Sequence, residues 1–390
     1  MRVVETRYVR PTRSGHLLAL SGAVLVGLYV VTQLKSALLV GGLLLGIPLA
    51  SYLYTVMAVS EIGRRLIIER NVAGSAVEAY AAPIVVAFHS LGWIMGYVHF
   101  TDTPPKGITP LTKPAGGGIL LPWRVLEASY LISPRIGRWR FGPLTVTFSD
   151  PLGLAEAVVI VEPDGARAVA GTPSRGLAEE VSLVNVEDPY STPTSRLIKR
   201  EGTEIYGIRE FQEGDELRLI DWKATARLGK LFVRELRRET TIPVLFLFVP
   251  TPRMLEGEPY KTPFEQAARA IYKLSRELAG RDGIIGILSI SGTETIAAPP
   301  AKGLEGVARV VEALSLTPPP KSAPKGVVDL VLEYLRKHSP GRSVIVLVTD
   351  REASNVYSKD LEYLVEKRLR VALMVVEREE IALEPVRASA

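Results

Sequence analysis

The sequence predicts a membrane-anchored α/β protein in three parts. These are an N-terminal transmembrane hairpin of two helices, a small β-sandwich-like domain, and a C-terminal domain with a doubly wound parallel sheet. Three observations predict this architecture: two long uncharged runs near the start, short apolar runs separated by glycine and proline after them, and alternating strand and helix patterns from residue 240 onward. A chain of 390 residues, 47% of them hydrophobic, has enough apolar material for all three parts.

The two uncharged runs, residues 17–34 and 37–59, are each long enough to cross a bilayer as a helix. A helix rises about 1.5 Å per residue, and the hydrocarbon core is about 30 Å thick. Only Lys35 and Ser36 separate the runs, so we expect a tight helical hairpin within residues 1–60. No small-residue cleavage site precedes a polar mature start, which disfavours a signal peptide followed by a buried helix.

The charges around the hairpin predict its orientation. The loop contributes only Lys35, whereas seven arginines flank the hairpin. Four precede the first run and three follow the second: Arg2, Arg7, Arg10, Arg13, Arg64, Arg65 and Arg70. The positive-inside rule then predicts a cell-membrane protein with two spans, with both termini and the soluble domains in the cytoplasm. The net charge of +5 suits a partner such as the lipid bilayer, and it is too small to predict nucleic-acid binding. The absence of cysteine excludes disulfides and thiolate chemistry.

Residues 61–165 are expected to form the β-sandwich-like domain. Turn signals, among them the glycine run 116–118, separate the candidate strands. These strands are Arg65–Glu69, Ala82–Ser90, Tyr97–Thr101, Val125–Ile132, Leu144–Phe148 and Ala157–Val161. Residues 166–205 are rich in proline, serine, threonine and glycine and are expected to be a mostly extended linker.

Residues 240–390 show strand and helix patterns in alternation, which predicts a parallel sheet covered on both faces. The expected strands are 244–249, 283–290, 344–349 and 371–376. The expected helices are 264–279, 304–314, 327–338 and 361–367.

Residues 206–239 concentrate charged side chains around one tryptophan. Asp215 is a suitable N-cap for a helix that starts at Glu216, and Gly229 is suited to the left-handed position after it. A single apolar stripe would run along that helix through Leu217, Ile220, Ala224 and Leu228. The candidate functional residues are Arg209, Gly214, Asp215, Arg218, Asp221, Trp222 and Arg227.

Three interpretations of this cluster are open: an ion-pair network joining two domains, a docking surface for another protein, or an anion site. The interleaved acidic residues disfavour phosphate or nucleic acid. A hydrolase that uses Asp215 and Asp221 is a further alternative, disfavoured because residues six apart diverge around a helix. The sequence has no phosphate-binding loop, nucleophile elbow or zinc-protease motif, so we predict that the protein is not an enzyme.

The run GIREFQEGDELRLIDWKATARLGKLFVRE resembles the signature of the family called domain of unknown function 58 (DUF58). The matching positions are Gly207, Arg209, Phe211, Gly214, Asp215, Arg218, Ile220, Trp222, Thr225, Ala226 and Arg227. Upstream, GRWRFGPLTVTFSDPLGL is similar to a second stretch of the same family, and the N-terminal hairpin also fits it.

This resemblance implies that the C-terminal domain is like a von Willebrand factor A domain. Such domains often bind Mg²⁺ through an Asp-x-Ser-x-Ser loop, because a hard cation requires oxygen ligands. Here Val249 replaces the aspartate, Thr251 and Arg253 replace the serines, and only Asp350 remains from the later part of the site. We therefore expect no metal and no other cofactor, with Arg253 placed to neutralise Asp350.

The function expected from these observations is that of a non-enzymatic, membrane-anchored scaffold or adaptor. The resemblance implies a protein partner of the MoxR-type AAA+ ATPase class, docked by the cytoplasmic domains. The opposing expectation is a hydrolase whose acids come from residues 206–239.

Overall fold

The structure is a computed structural model that describes eleven ranges of the chain. They are residues 2–62, 64–72, 76–181, 183–185, 205–212, 220–236, 243–324, 326–338, 343–367, 369–377 and 381–385. The chain divides into two compact units. The first is Met1–Ser174 with Glu258–Tyr260, and the second is Arg175–Gly257 with Lys261–Ala390.

The first unit contains the expected pair of apolar helices, α1 (Arg13–Thr32) and α2 (Lys35–Ser60). Both are long and apolar enough to cross a membrane. The helices approach closely at two glycines: a Cβ added to Gly22 would lie 2.8 Å from the carbonyl oxygen of Gly41. Small residues at such a crossing are typical of helices that pack within lipid.

Two five-stranded sheets form a sandwich in the first unit, with strand orders β1-β10-β9-β4-β6 and β11-β2-β3-β7-β5. A separate pair joins β8 and β12. The strands are β1 (Arg2–Pro11), β2 (Leu66–Val72), β3 (Ala82–Ser90), β4 (Gly96–Thr101), β5 (Ile108–Pro110), β6 (Ala115–Leu120), β7 (Val125–Pro134), β8 (Gly137–Arg140), β9 (Leu144–Ser149), β10 (Ala155–Glu162), β11 (Asp164–Gly165) and β12 (Ala168–Gly171). Phe88, Phe100 and Phe148 fill the core between the sheets.

Strand β1 was not predicted. It precedes the helical hairpin, which we expected to occupy residues 1–60 alone, and it pairs antiparallel with β10. The pairing runs from Arg2 opposite Glu162 to Pro11 opposite Ala155. Its arginines had been interpreted only as charge flanking a span, and nothing local indicates a partner strand so far along the chain.

Two further expectations are wrong. The glycine run 116–118, expected to be a turn, lies inside strand β6. A Cβ at Gly117 would lie 2.0 Å from the carbonyl oxygen of Val98, so glycine here permits close approach of two strands. Residues 166–205 are not all linker, because they include β12 and the short helix α3 (Arg175–Glu179).

A buried polar cluster lies inside the sandwich. The Arg70 guanidinium donates from Nη1 to both carboxylate oxygens of Asp102 at 3.0 Å, and from Nη2 to the carbonyl of Gly142 at 3.0 Å. The Tyr130 hydroxyl donates to Asp102 Oδ2 at 2.6 Å. Burial, and then the hydrogen bond to Asp102, raises the pKa of Tyr130, which keeps the hydroxyl protonated as a donor. The Phe141 ring lies 4.4 Å from Arg70 Cζ.

The second unit is built on a seven-stranded sheet with the order β13-β21-β20-β19-β16-β17-β18. Its strands are β13 (Leu183–Asn185), β16 (Val244–Phe248), β17 (Ile284–Ser291), β18 (Glu294–Lys302), β19 (Val344–Thr349), β20 (Arg370–Val376) and β21 (Ile381–Pro385). A separate antiparallel pair is formed by β14 (Ile205–Glu210) and β15 (Phe232–Leu236). The helices are α4 (Trp222–Leu228), α5 (Pro263–Ala279), α6 (Gly303–Leu316), α7 (Val327–His338), α8 (Arg351–Val356) and α9 (Ser358–Glu366).

Helices cover both faces of this sheet, as expected. On one face, Phe248 of β16 packs against Phe264 of α5, with ring centroids 5.4 Å apart. Side chains alternate between the two faces along a strand, so Leu247 of β16 points to the other face. There it belongs to a second hydrophobic core with Val331 of α7 and Leu361 of α9. Strands β16, β17, β19 and β20 are mutually parallel, whereas β18 and β21 run antiparallel to their neighbours and were not predicted.

We expect Asp102→Ala to lower the free energy of unfolding of the first unit by about 3–5 kcal/mol, because it leaves the Arg70 charge buried without its partner. Denaturant or thermal unfolding of the detergent-solubilised chain measures this. The double variant Arg70→Met with Asp102→Leu removes both charges, so its free energy of unfolding should fall less than that of Asp102→Ala. If the single variant is no less stable than the double variant, an unpaired Arg70 charge does not destabilise the sandwich.

Candidate functional site

The charged segment that carries the family resemblance forms a two-stranded hairpin with a short helix between its strands. In the register of β14 and β15, Arg209 lies opposite Val233. Beyond the strand ends, the Phe211 N–H donates to the carbonyl of Leu231 at 2.9 Å. Ile220 forms an isolated bridge with Val233 as the chain returns to the strand pair. Helix α4 is therefore held against a rigid strand support.

The helix that carries the tryptophan begins at Trp222. Its N-cap is Asp221, whose Oδ1 accepts hydrogen bonds from the N–H groups of Lys223 at 3.0 Å and Ala224 at 3.1 Å. The predicted helix start at Glu216 and its predicted cap Asp215 lie outside the described residues. Ile220 and Asp221 are not helical, because Ile220 forms a strand bridge and Asp221 has an extended backbone with ψ of 90°. The predicted apolar stripe consequently breaks at Ile220. Aspartate is the residue type predicted to cap a helix in this segment, and Asp221 does so for α4.

The far end of α4 matches its prediction. Gly229 adopts the left-handed conformation with φ of 69°, and its N–H donates to the carbonyl of Thr225 at 3.0 Å. The hydroxyl of Thr225 also accepts from the N–H of Phe232 at 3.1 Å, which attaches the helix to β15. Thr225 was not among the candidate site residues. A β-branched hydroxyl within so short a helix is the signal that could have indicated its role.

One surface of α4 is open to solvent; we call it the α4 face and define it as Trp222, Lys223, Ala226 and Arg227. All four are exposed, and Trp222 is 67% exposed. Trp222 and Ala226 are four residues apart, as are Lys223 and Arg227, so an apolar row lies beside a basic one. No residue of α4 is buried. An aromatic ring beside two basic side chains, on a capped and anchored helix, can contact a partner with an apolar pocket and an acidic rim.

The structure brings together some of the predicted site residues. Asp221 caps the helix that carries Trp222 and Arg227, and Arg209 lies on the supporting strand β14. Gly214, Asp215 and Arg218 lie outside the described residues. Beside the cluster, Lys230 pairs with Glu210 at 2.8 Å, and this hydrogen bond raises the pKa of Lys230.

A second candidate location lies at the carboxyl ends of the parallel strands, where adjacent β16 and β19 leave the sheet. The crevice there has a volume of about 560 Å³, and its lining includes Arg253, Glu256, Asp350, Glu352 and Glu377. Open α/β sheets bind ligands in such a crevice where the strand order reverses. The chain order of the strands reverses here, since β17 lies on one side of β16 and β19 on the other.

The residues at this crevice do not fit a Mg²⁺ site. Val249 is buried in the core, and the Thr251 hydroxyl donates to Oδ2 of Asp350. Oδ1 of Asp350 accepts from the N–H of Ala353 at 2.8 Å, as the N-cap of α8. Arg253 pairs with Glu352, rather than with Asp350 as expected. Within the described residues, no three His, Asp or Glu side chains are grouped to hold a metal.

Comparison with known proteins supports the resemblance in part. The model of the family described as "Protein of unknown function DUF58" matches residues 207–387, which include most of β14, helix α4 and the six strands β16–β21 of the seven-stranded sheet. The chain is also similar to the "Uncharacterized protein YeaD" of Bacillus subtilis (strain 168), with 28% identity over 145 residues. That match covers 36% of this chain and 36% of the relative, so it spans about a third of the relative's length.

Two solved structures of a GH20 exo-β-N-acetylglucosaminidase from Vibrio harveyi show a slight likeness to the chain. The inactive mutant has 11% identity and a TM-score of 0.20, with 82% of this chain and 34% of the enzyme covered. The complex with N-acetylglucosamine has 10% identity and a TM-score of 0.19, with 76% and 60% covered. Scores this low carry no argument about fold or activity.

We expect Asp221→Ala to weaken α4 by about 1 kcal/mol, because two helix N–H groups lose their acceptor. Hydrogen exchange at the amides of residues 223–228 should become faster. Asp221→Asn keeps a side-chain acceptor and should exchange close to the wild-type rate. Equal protection in the alanine variant and the wild type would show that the cap does not hold the helix.

Proposed function

We propose that this chain is a member of the DUF58 family and acts as a non-enzymatic, membrane-anchored scaffold. Its second unit resembles a von Willebrand factor A domain and docks a protein partner of the MoxR-type AAA+ ATPase class. The observation that carries the proposal is the α4 face, an exposed tryptophan beside two basic residues on a helix whose two ends are held by hydrogen bonds.

Membrane anchoring is supported by the two apolar helices and by the pairing of β1 with β10. The hairpin leaves the sandwich after β1 and returns before β2, so both chain segments flanking the helices contribute strands to one sandwich. A two-span hairpin that begins and ends on one domain places the N-terminal strand and that domain on the same side of the membrane. The excess of flanking arginine favours the cytoplasmic side of the cell membrane.

The von Willebrand A-like assignment is supported by the strand order. Counted from β16 along the chain, the strands β16–β21 lie in the order 3-2-1-4-5-6, the order of a doubly wound sheet. Helices α5 and α7 lie on opposite faces of that sheet. The altered loop at Val249, Thr251 and Arg253 favours docking that does not depend on a metal.

Docking through the α4 face is supported by its composition. Tryptophan and arginine are the side chains that most often dominate the energy of protein interfaces. Lys223 and Arg227 favour an acidic partner surface, and no residue of α4 is buried within the chain. The interdomain ion-pair interpretation has less support, because the ion pair beside the cluster, Lys230 with Glu210, lies within the second unit.

The hydrolase alternative has less support as well. A general acid or base needs a carboxylate directed at a substrate, whereas the Asp221 carboxylate caps α4 and the residue is buried. Asp215 lies outside the described residues. We therefore propose docking rather than catalysis.

We expect Trp222→Ala to weaken binding of a MoxR-type AAA+ ATPase by about thirtyfold or more, the loss of about 2 kcal/mol typical of a hot-spot aromatic. The full-length chain in nanodiscs and a purified ATPase from the same organism allow the dissociation constant to be measured directly. Because Trp222 is exposed, the melting temperature should stay near that of the wild type.

Tyr80→Ala is the matched control, since Tyr80 is an aromatic residue that is 63% exposed and belongs to the first unit. It should leave the affinity unchanged. Failure of the wild-type chain to bind the ATPase would contradict the choice of partner. Equal affinity of the Trp222→Ala variant and the wild type would contradict the α4 face.

The proposed topology is tested with single cysteines, because the chain has none of its own. In intact cells, a membrane-impermeant maleimide should label Lys35→Cys at the tip of the hairpin and leave Lys106→Cys in the sandwich unlabelled. Opening the cells should expose Lys106→Cys. Labelling of both positions, or of neither, before the cells are opened would exclude a hairpin that crosses the membrane with the sandwich inside.

A further inference from the structure

One end of the sandwich carries both junctions with the helical hairpin; we call it the hairpin end. In the first sheet, Pro11 of β1, Ala155 of β10, Ser149 of β9 and Gly96 of β4 lie there in adjacent strands. In the second sheet, β2 begins there at Leu66, opposite Ser90 of β3. The loops 91–95, 121–124 and 150–154 therefore lie at the same end as the start of α1 and the end of α2.

The C-terminal part of α2 is packed onto this end rather than projecting from it. The Ser51 hydroxyl donates to the buried carboxylate of Asp150, and the Tyr54 hydroxyl donates to the carbonyl of Met95 at 2.7 Å. Further along the helix, Ala58 belongs to the sandwich core. Helix α1 is also held at its first turn, where a Cβ added to Gly15 would lie 2.2 Å from the carbonyl oxygen of Leu154.

The part of the hairpin that projects freely is consequently shorter than its helices. It comprises about residues 17–32 of α1 and 35–50 of α2, which at about 1.5 Å per residue reach about 24 Å. A hydrocarbon core is about 30 Å thick. If the hairpin crosses the membrane, the hairpin end must come close to the lipid, or the bilayer must become thinner around it.

Side chains on the hairpin end are suited to such a position. Trp123 is 72% exposed and Leu152 is 65% exposed, each on a loop tip. Exposed apolar residues near them are Leu91, Tyr97, Ile119 and Leu121. Trp123 occupies the third position of the turn Leu121–Arg124, with φ of 54°, where glycine is usual. A bulky residue with positive φ is uncommon, and here the strained turn places the indole in solvent.

The charge at this end is complementary to lipid headgroups. Arg13, Arg64, Arg65 and Arg124 are all exposed at or beside the junctions and loops. Two acidic residues at this end have partners of their own. Glu61 pairs with Arg65 at 3.4 Å, and the buried Asp150 accepts hydrogen bonds from the N–H groups of Leu152 and Ala155. Aromatic and aliphatic tips surrounded by arginines are the composition of a membrane interface, where tryptophan is enriched and arginine meets anionic headgroups.

We propose that the hairpin end of the sandwich is a lipid-contacting surface. Trp123 and Leu152 enter the interfacial layer of the bilayer, and the arginines around them contact anionic headgroups. The sandwich then contacts the membrane surface directly, and no layer of water separates the hairpin end from the lipid headgroups. This inference rests on the proposed membrane anchoring, and its test separates the two.

The test uses spin labels on single-cysteine variants of the full-length chain in vesicles that contain anionic lipid. Trp123→Cys and Leu152→Cys probe the proposed surface. Leu111→Cys is the matched control, an exposed leucine that follows β5 and lies away from the hairpin end, with its N–H donating to the carbonyl of Leu131. Val24→Cys, at an exposed position within α1, reports whether the hairpin is inserted.

The measured quantity is the ratio of collision with oxygen, which concentrates in lipid, to collision with a water-soluble nickel complex. We expect this ratio to be several-fold higher at positions 24, 123 and 152 than at 111. A high ratio at 24 with ratios at 123 and 152 equal to that at 111 would overturn the lipid-contacting surface and leave the anchoring intact. A low ratio at 24 would overturn both. Low collision with both reagents at 123 and 152 would show that a protein, and not lipid, covers this end.

Discussion

The antiparallel pairing of β1 with β10 is the constraint on which the first unit depends. It brings a strand that precedes the helical hairpin into the same sheet as a strand formed long after it. Both helices must therefore leave and return at one end of the sandwich. The side-chain bond from Ser51 to Asp150, and the close contact of Gly15 with Leu154, hold each helix at that end. The placement of the two apolar helices and the folding of the sandwich therefore depend on each other.

Much of the fold could be predicted, because local sequence patterns indicate the type and the bounds of many helices and strands. The apolar helices, the strand Ala82–Ser90, the helix Val327–His338 and the strand Val344–Thr349 have one dominant periodicity or an uninterrupted apolar run. Strand β1 could not be predicted, since its partner is distant in sequence. Strand β6 was mistaken for a turn because glycine, usually a turn residue, here allows neighbouring strands to approach closely.

In the candidate site, too, features with a local sequence signal could be predicted, and features that depend on distant contacts could not. Gly229 was correctly placed because a glycine after a short helix has one common use. The sequence predicts an N-cap at Asp215, which lies outside the described residues, whereas the cap of α4 is Asp221. Either aspartate could precede a helical pattern, and the bridge of Ile220 to Val233 is a non-local contact that no local pattern indicates. The exposure of Trp222 also depends on tertiary packing, because a tryptophan in a strongly patterned motif could equally be buried.

The separation of β1 from its partner has a consequence for biosynthesis. Arg10 and Glu156, which form an ion pair across these strands, are 146 residues apart. At a synthesis rate of about 5–20 residues per second, β1 waits roughly 7–30 s for β10 to be made. The pairing that completes the first sheet therefore forms only after both apolar helices have been made. Until then β1 has an unpaired edge, and a bulky group attached in front of it would obstruct its pairing with β10.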